Sequence, residues 1–228
     1  MDYLPIMLNL SGRTVVIIGG GEAAFKKARN VLPHCGAITV VASRFSSKMD
    51  KLPVKKVRMK IDSIFQLDGF LQDGSIVIIA TDDISLNDRL ERECRKRGML
   101  FNRVDRGDSP FIFPASFDID GVVISVSTRG RSPSLSRYLS KLLQKDVRDY
   151  AVALPVLEKL RARVKLSTPG DRADYFNGLL SDQDFWALIG SGRTEDAFEH
   201  GLRLSVAKRK QVKGKARVSL QKEGESRD

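Results

Sequence analysis

Histidine is nearly absent, with His34 and His200 the only two in 228 residues. A zinc centre or a Ser-His-Asp triad has almost no material to be built from, which argues against hydrolytic chemistry of those kinds. Cysteine is equally scarce. Cys35 and Cys94 stand far apart, without the spacing of a metal knuckle or a redox pair, and read as buried, idle thiols; no metal site is expected. No apolar run approaches the roughly 20 residues that span a bilayer, and the opening Met1-Asp2-Tyr3-Leu4-Pro5 lacks basic and apolar leader regions. The expected location is the cytoplasm, with no membrane partner. Acidic residues are outnumbered, giving a net charge of +11, yet much of the excess is local. From Arg203 to Asp228 there are nine Lys/Arg against three Asp/Glu, without aromatics or apolar periodicity. Residues 203–228 therefore read as a disordered, solvated basic tail, open at most to nonspecific polyanion contacts; nucleic acid is not an expected partner.

What the chain does contain is Val15-Val16-Ile17-Ile18-Gly19-Gly20-Gly21-Glu22-Ala23-Ala24, an apolar strand that breaks into glycines and enters an alanine-rich helix. A buried parallel strand needs a continuous β-branched run, and the following turn needs residues without Cβ so that a pyrophosphate can approach the main chain. The next helix then offers unpaired N–H groups and the positive end of its dipole. Gly19, Gly21 and Ala24 fit the G-x-G-x-x-A form of the dinucleotide fingerprint.

Strand and helix patterns alternate through the first 110 residues, the signature of a doubly wound parallel sheet. Strands are expected at Thr14–Ile18, Ala37–Ala42, Lys55–Met59, Ile76–Ala80 and Met99–Phe101, and helices at Glu22–Leu32, Ile64–Leu67 and Ser85–Arg97. The last helix carries Leu86, Leu90 and Cys94 as an apolar stripe, and its opposite face, Asp88, Arg89, Glu91, Arg92, Arg95 and Lys96, reads as solvated. Beyond Pro110, Ser116–Val126 reads as a hairpin turning at Asp120-Gly121. Helices are expected at 133–145, 146–165 and near 171–189. The fold class is α/β: a Rossmann-type domain over 1–112, a hairpin and helical dimerisation region over 113–145, a C-terminal helical domain over 146–202, and the tail.

Three segments resemble the precorrin-2 dehydrogenase family of sirohaem synthesis, which also forms the N-terminal module of multifunctional sirohaem synthases. They are Tyr3-Leu4-Pro5-Ile6 with Leu8-Asn9-Leu10-Ser11-Gly12-Arg13; Ala80-Thr81-Asp82-Asp83 with Asn87 and Phe101-Asn102-Arg103-Val104-Asp105; and Phe111-Ile112-Phe113-Pro114-Ala115 with Ser127 to Arg137. Their order and spacing agree with the family over about residues 1–190. The resemblance implies oxidation of precorrin-2 to sirohydrochlorin, a hydride passing to NAD and a proton leaving the macrocycle, in a homodimer. Some members also insert iron into the product as a ferrochelatase.

Asp105 matches the family's catalytic aspartate and falls just beyond a strand's carboxyl end; alternatively it caps the turn Asp105-Arg106-Gly107-Asp108. Asn102 is either a core hydrogen bonder or a substrate-site residue. Glu22 and Ala23 match positions that line the pyrophosphate with Gly19, Gly20 and Gly21, Ser43 and Arg44 match the adenosine side, and Thr81 and Asp82 belong near the nicotinamide. No acid follows the second strand to hold ribose hydroxyls, so NAD is chosen by resemblance and NADP stays open. The substrate's carboxylates call for cations, hydroxyls and a helix N-terminus, which Ser127, Thr128, Arg129, Arg131 and Ser132 supply before Pro133. Arg129 and Arg131 depart from the family's small residues, and either strengthen carboxylate binding or narrow the pocket. Two other functions compete: a regulatory module that senses NAD and engages a partner through the tail, and a dehydrogenase for another small acid.

Overall fold

The computed structural model describes residues 3–72, 74–166 and 168–206, residue 149 by its backbone alone. The parallel strands are β1 (Thr14–Ile18), β2 (Ala37–Ala42), β3 (Lys55–Arg58), β4 (Ile76–Ile79) and β5 (Leu100–Arg103), of which β1, β2 and β4 are rich in β-branched residues. All pair in parallel, in the order β3-β2-β1-β4-β5. The sheet grows away from β1 in both directions, so a crevice opens beyond the carboxyl end of β1, where such sheets bind ligands. This is the α/β class the sequence implies. The chain divides into two compact units; one runs to Pro114 and takes in Arg129–Ser132, and the other holds Ala115–Thr128 and the chain from Pro133 onward.

Successive strand side chains point to opposite faces, and each face is covered by a different helix. Val15, Ile17, Ile38, Val40, Ile76 and Ile78 pack on Ala24, Ala28 and Val31 of α1 (Glu22–Val31). A one-turn helix, α2 (Ser47–Asp50), is capped by Ser46 and buries Met49; it is too short for sequence periodicity to reveal. Val16, Ile18, Val41, Val77, Ile79 and Phe101 pack on the expected stripe Leu86, Leu90 and Cys94 of α3 (Ile84–Lys96). Burial pushes the Cys94 thiol up to about 12, so it is inert at neutral pH.

Two expectations are corrected in this unit. The last strand begins one residue later than its expected start at Met99 and runs through Arg103, which places Asn102 and Arg103 in the sheet and buries both. The polar face of α3 is only partly solvated: Asn87 and Glu91 lie one position beyond Leu86 and Leu90, and both are buried.

In the other unit, β6 (Ala115–Ile119) and β7 (Val122–Val126) pair antiparallel around Asp120 and Gly121, which sit at φ +48° and +90°. Positive φ at both turn positions matches the twist of the strands, which is why the Asp-Gly pair is favoured there. Helix α4 (Pro133–Ala151) packs across this hairpin. It continues past the break expected at 145, where nothing interrupts a helix, and stops before α5 (Leu154–Arg163), whose second residue, Pro155, cannot extend a preceding helix. With α6 (Pro169–Leu180), α7 (Gln183–Gly190) and a last helix over 194–206, α5 encloses a core of Val156, Leu160, Tyr175, Leu179, Phe185 and Ile189. Residues 203–206 of the expected tail belong to that helix, and Ser205 is buried in it; 207–228 lie outside the described residues.

Asp182 caps α7 by accepting from the Phe185 amide at 2.8 Å, and also lies 3.0 Å from His200 Nε2. The Phe185 amide first, then His200, holds its carboxyl below the usual carboxylate range. A depressed carboxyl stabilises the fold above its unfolded value of about 3.9, and that contribution is lost as pH falls through the folded value. Asp182→Ala should therefore cost about 0.5–2 kcal/mol near neutral pH. In urea denaturation its deficit against the parent chain should shrink as pH drops below about 4.

Candidate active site

The carboxyl ends of β2, β1, β4 and β5 bring Ser43-Arg44, Gly19 to Gly21, Thr81-Asp82 and Asp105 to one edge of the sheet. Each glycine of the turn answers a different demand. A Cβ on Gly19, at φ +122°, would meet the Ala80 carbonyl oxygen at 2.2 Å, and one on Gly20 would meet the Arg44 carbonyl oxygen at 2.0 Å. Both glycines therefore let the turn nest between the loops after β4 and β2, where Gly19 N donates to Val41 O and Ser46 N to Gly20 O. Gly21 has open space where a Cβ would stand. It begins α1 with no side-chain cap, so amides of the first turn face outward unpaired by a side chain. That arrangement fits a phosphate. Glu22 on the same turn is paired outward to Lys48 at 3.1 Å and Lys26 at 3.8 Å, and Ala23, Ser43, Arg44 and Asp82 are exposed.

A polar network closes the other side of the crevice. Thr81 Oγ1 donates to Asn87 Oδ1 at 2.5 Å, and Asn87 Nδ2 reaches the Thr81 carbonyl at 3.1 Å and Asp105 Oδ2 at 3.4 Å. Asp105, its side chain 29 % exposed, accepts a forked pair from Arg103, Nε to Oδ1 at 2.7 Å and Nη2 to Oδ2 at 2.8 Å. Arg103 Nη1 continues to Asp88 at 2.5 Å and Glu91 at 2.9 Å. The Arg103 guanidinium beside Asp105 holds that carboxyl below the usual range, helped by backbone and Asn87 hydrogen bonds. The loop after β5 is pinned as well: Arg103 N donates to buried Ser109 Oγ, and the Tyr3 hydroxyl reaches the carbonyls of Gly107 and Ser109. Thus Asp105 is an ion-pair and network partner, more than a turn cap.

Asn102 points to the sheet face opposite Arg103. Its Nδ2 donates to Phe111 O at 3.0 Å, whereas the buried Oδ1 has no partner among the described residues. An orphaned acceptor at this edge is open to a donor from a ligand. Arg129 and Gly130 form a left-handed pair at φ +54° and +80°; Arg129 and Arg131 are exposed, and Ser132 is half-buried before α4. In the other unit, Thr128 Oγ1 lies 3.2 Å from the hydroxyl of buried Ser136. The sequence reading assigned Arg103 no role beyond its motif and placed Asp88 and Glu91 on a solvated face. The signal available was an arginine two residues before Asp105 and acids at i and i+3 on the neighbouring helix. Among the described residues no group of three or more His, Cys, Asp and Glu is placed to hold a metal, and no helix is long and apolar enough to cross a membrane.

The strand order, the glycine turn feeding a helix N-terminus and the open carboxyl edge define a Rossmann-type fold, the architecture that binds dinucleotides at this edge. Residues 6–115 match a family model described as "Putative NAD(P)-binding". The chain is 33 % identical over 203 residues to the siroheme synthase of Methylococcus capsulatus, covering 86 % of this chain and 42 % of that one. It is 34 % identical over 216 residues to siroheme synthase 1 of Yersinia enterocolitica, covering 90 % and 44 %. The chain is thus similar to the siroheme synthases over most of its own length and spans less than half of theirs. A solved structure of SirC, precorrin-2 dehydrogenase, shares the fold at a TM-score of 0.68 and 21 % identity, over 87 % of this chain and all of that one.

The two glycine demands separate experimentally. Gly20→Ala must displace backbone and should cost about 1–3 kcal/mol in thermal unfolding. Gly21→Ala should leave stability near that of the parent chain but weaken nicotinamide dinucleotide binding in calorimetry, because its methyl group enters the space before the first-turn amides.

Proposed function

We propose that the chain catalyses the NAD-dependent dehydrogenation of precorrin-2 to sirohydrochlorin in sirohaem formation. The observation that carries this reading is the ionised, doubly oriented Asp105 on the same sheet edge as the glycine turn. A carbon–hydrogen bond of the macrocycle breaks with its electron pair leaving as hydride, and the cation left behind loses a proton to restore neutrality. A nicotinamide dinucleotide bound at the glycine turn would supply the acceptor for that hydride.

The chain's residues divide the remaining work. Gly19 to Gly21 with the amides of Glu22 and Ala23 hold the pyrophosphate. Ser43 and Arg44 take the adenosine half, Thr81 and Asp82 the nicotinamide half, and the unpaired Asn102 Oδ1 accepts a hydrogen bond from the bound molecules. Asp105 stabilises the developing cation by its charge and accepts the proton, passing it to solvent through its exposed side. Ser127, Thr128, Arg129, Arg131 and Ser132 meet the substrate's carboxylates. NAD is preferred to NADP on resemblance; comparing kcat/KM for the two decides it. A homodimer is part of the proposal, supported by the exposed Leu135, Tyr138 and Leu142, which share one face of α4 at i, i+3 and i+7.

Anaerobic incubation with precorrin-2 and NAD should yield sirohydrochlorin absorbance with stoichiometric NADH; no turnover sinks the reading. Asp105→Asn should lower kcat by about 100-fold or more while NAD affinity holds. Unchanged turnover would strip Asp105 of its role. Ferrous iron added to the product reads chelation by the same chain.

A further inference from the structure

We infer that Arg103 is a positioning residue, which, seated on Asp88 and Glu91 of α3, fixes the Asp105 carboxylate in one orientation and keeps it ionised until the substrate's proton reaches it. The inference rests on the reading of Asp105 as the group facing the reacting macrocycle.

The geometry is more specific than charge neutralisation requires. Arg103 is fully buried at its side chain, whereas Asp105 reaches solvent. A guanidinium presents its N–H donors in a rigid plane, so anchoring one edge on Asp88 and Glu91 aims the opposite edge. That edge engages both oxygens of Asp105 and leaves the outward lone pairs for a ligand. Asn87 holds Oδ2 from α3 and is itself clamped by Thr81 at the end of β4.

The charges around Asp105 are balanced. Arg103 faces it from β5 and neutral Asn87 from α3, and behind the guanidinium stand Asp88 and Glu91. Arg106 lies 3.4 Å from Asp88, and Arg95 lies 2.8 Å from Glu91. Three carboxylates thus meet three guanidiniums, so Asp88 and Glu91 do not drive a proton onto Asp105. Their negative charge would do so if Arg103 were removed. The depressed Asp105 carboxyl agrees with this balance. An anion already oriented when hydride leaves meets the developing positive charge without reorganising, which is where fixed charges act most strongly in catalysis.

Carbon-13 NMR of the full chain labelled at aspartate Cγ tests this without any turnover, the Asp105 resonance being assigned by its loss in Asp105→Asn. In the parent chain the resonance should remain ionised down past about pH 3.9, the ordinary aspartate midpoint. Arg103→Met should raise that midpoint by about one to three pH units, and Arg103→Lys, which keeps charge but loses the fork, should fall between. If Arg103→Met does not fold, Glu91→Leu/Arg103→Met removes a buried acid with the cation and carries the same expectation. An ordinary midpoint in the parent chain, or one unmoved by loss of Arg103, overturns the inference. In the turnover assay the acid limb of kcat/KM should shift upward in step with the resonance, with kcat falling more than KM rises. A parent chain that does not oxidise precorrin-2 overturns the proposed reaction and leaves the titration result standing.

Discussion

The loops at the carboxyl edge depend on two close backbone approaches at the end of β1. Gly19 lies against the Ala80 carbonyl and Gly20 against the Arg44 carbonyl, distances that no residue with a Cβ tolerates. Because β1 is hydrogen-bonded to β2 on one side and β4 on the other, these contacts lock the turn to the loops following both neighbours. The first-turn amides of α1 are thereby aimed outward from a rigid support. The third glycine is free of packing duties, and the space before it stands open.

On the far side of the crevice, electrostatics replaces close packing. Arg103 occupies a position in β5 whose side chain must face α3, because Phe101 two residues earlier faces that helix. An arginine buried there is tolerable only with carboxylates of matching geometry, and α3 supplies two while the chain after β5 supplies the third. The result is a site with one hydrogen-bonded backbone wall and one ionic wall. The first suits a phosphate and the second presents an oriented anion.

Much of this was legible in the sequence. The apolar run before Gly19 and the stripe Leu86, Leu90, Cys94 announce the sheet and its covering helix, because burial on both faces and helical period leave plain patterns. Asp120-Gly121 announces its turn because few residue pairs accept two positive φ angles. The end of β5 was harder to read, since Asn102 and Arg103 carry no strand propensity and are held there by tertiary hydrogen bonds to Phe111 and Ser109. For the same reason Asp88 and Glu91 looked like solvated residues. A helix face tells which residues neighbour one another, but not that an arginine from another strand will arrive among them. The distinction between Gly20 and Gly21 was also hidden, because it depends on where the Arg44 carbonyl lies.

The strand order has a further consequence during synthesis and refolding. The hairpin β6–β7 closes across two residues, the sort of local contact that forms within microseconds. β1, in contrast, gains one of its two neighbours only when Ile76–Ile79 arrives, long after its own residues have left the ribosome. Until then Val15–Ile18 is an unpaired, uncharged strand edge, the kind of segment on which nascent chains aggregate. The strand that supports the glycine turn is thus also a segment in need of protection while the chain is incomplete.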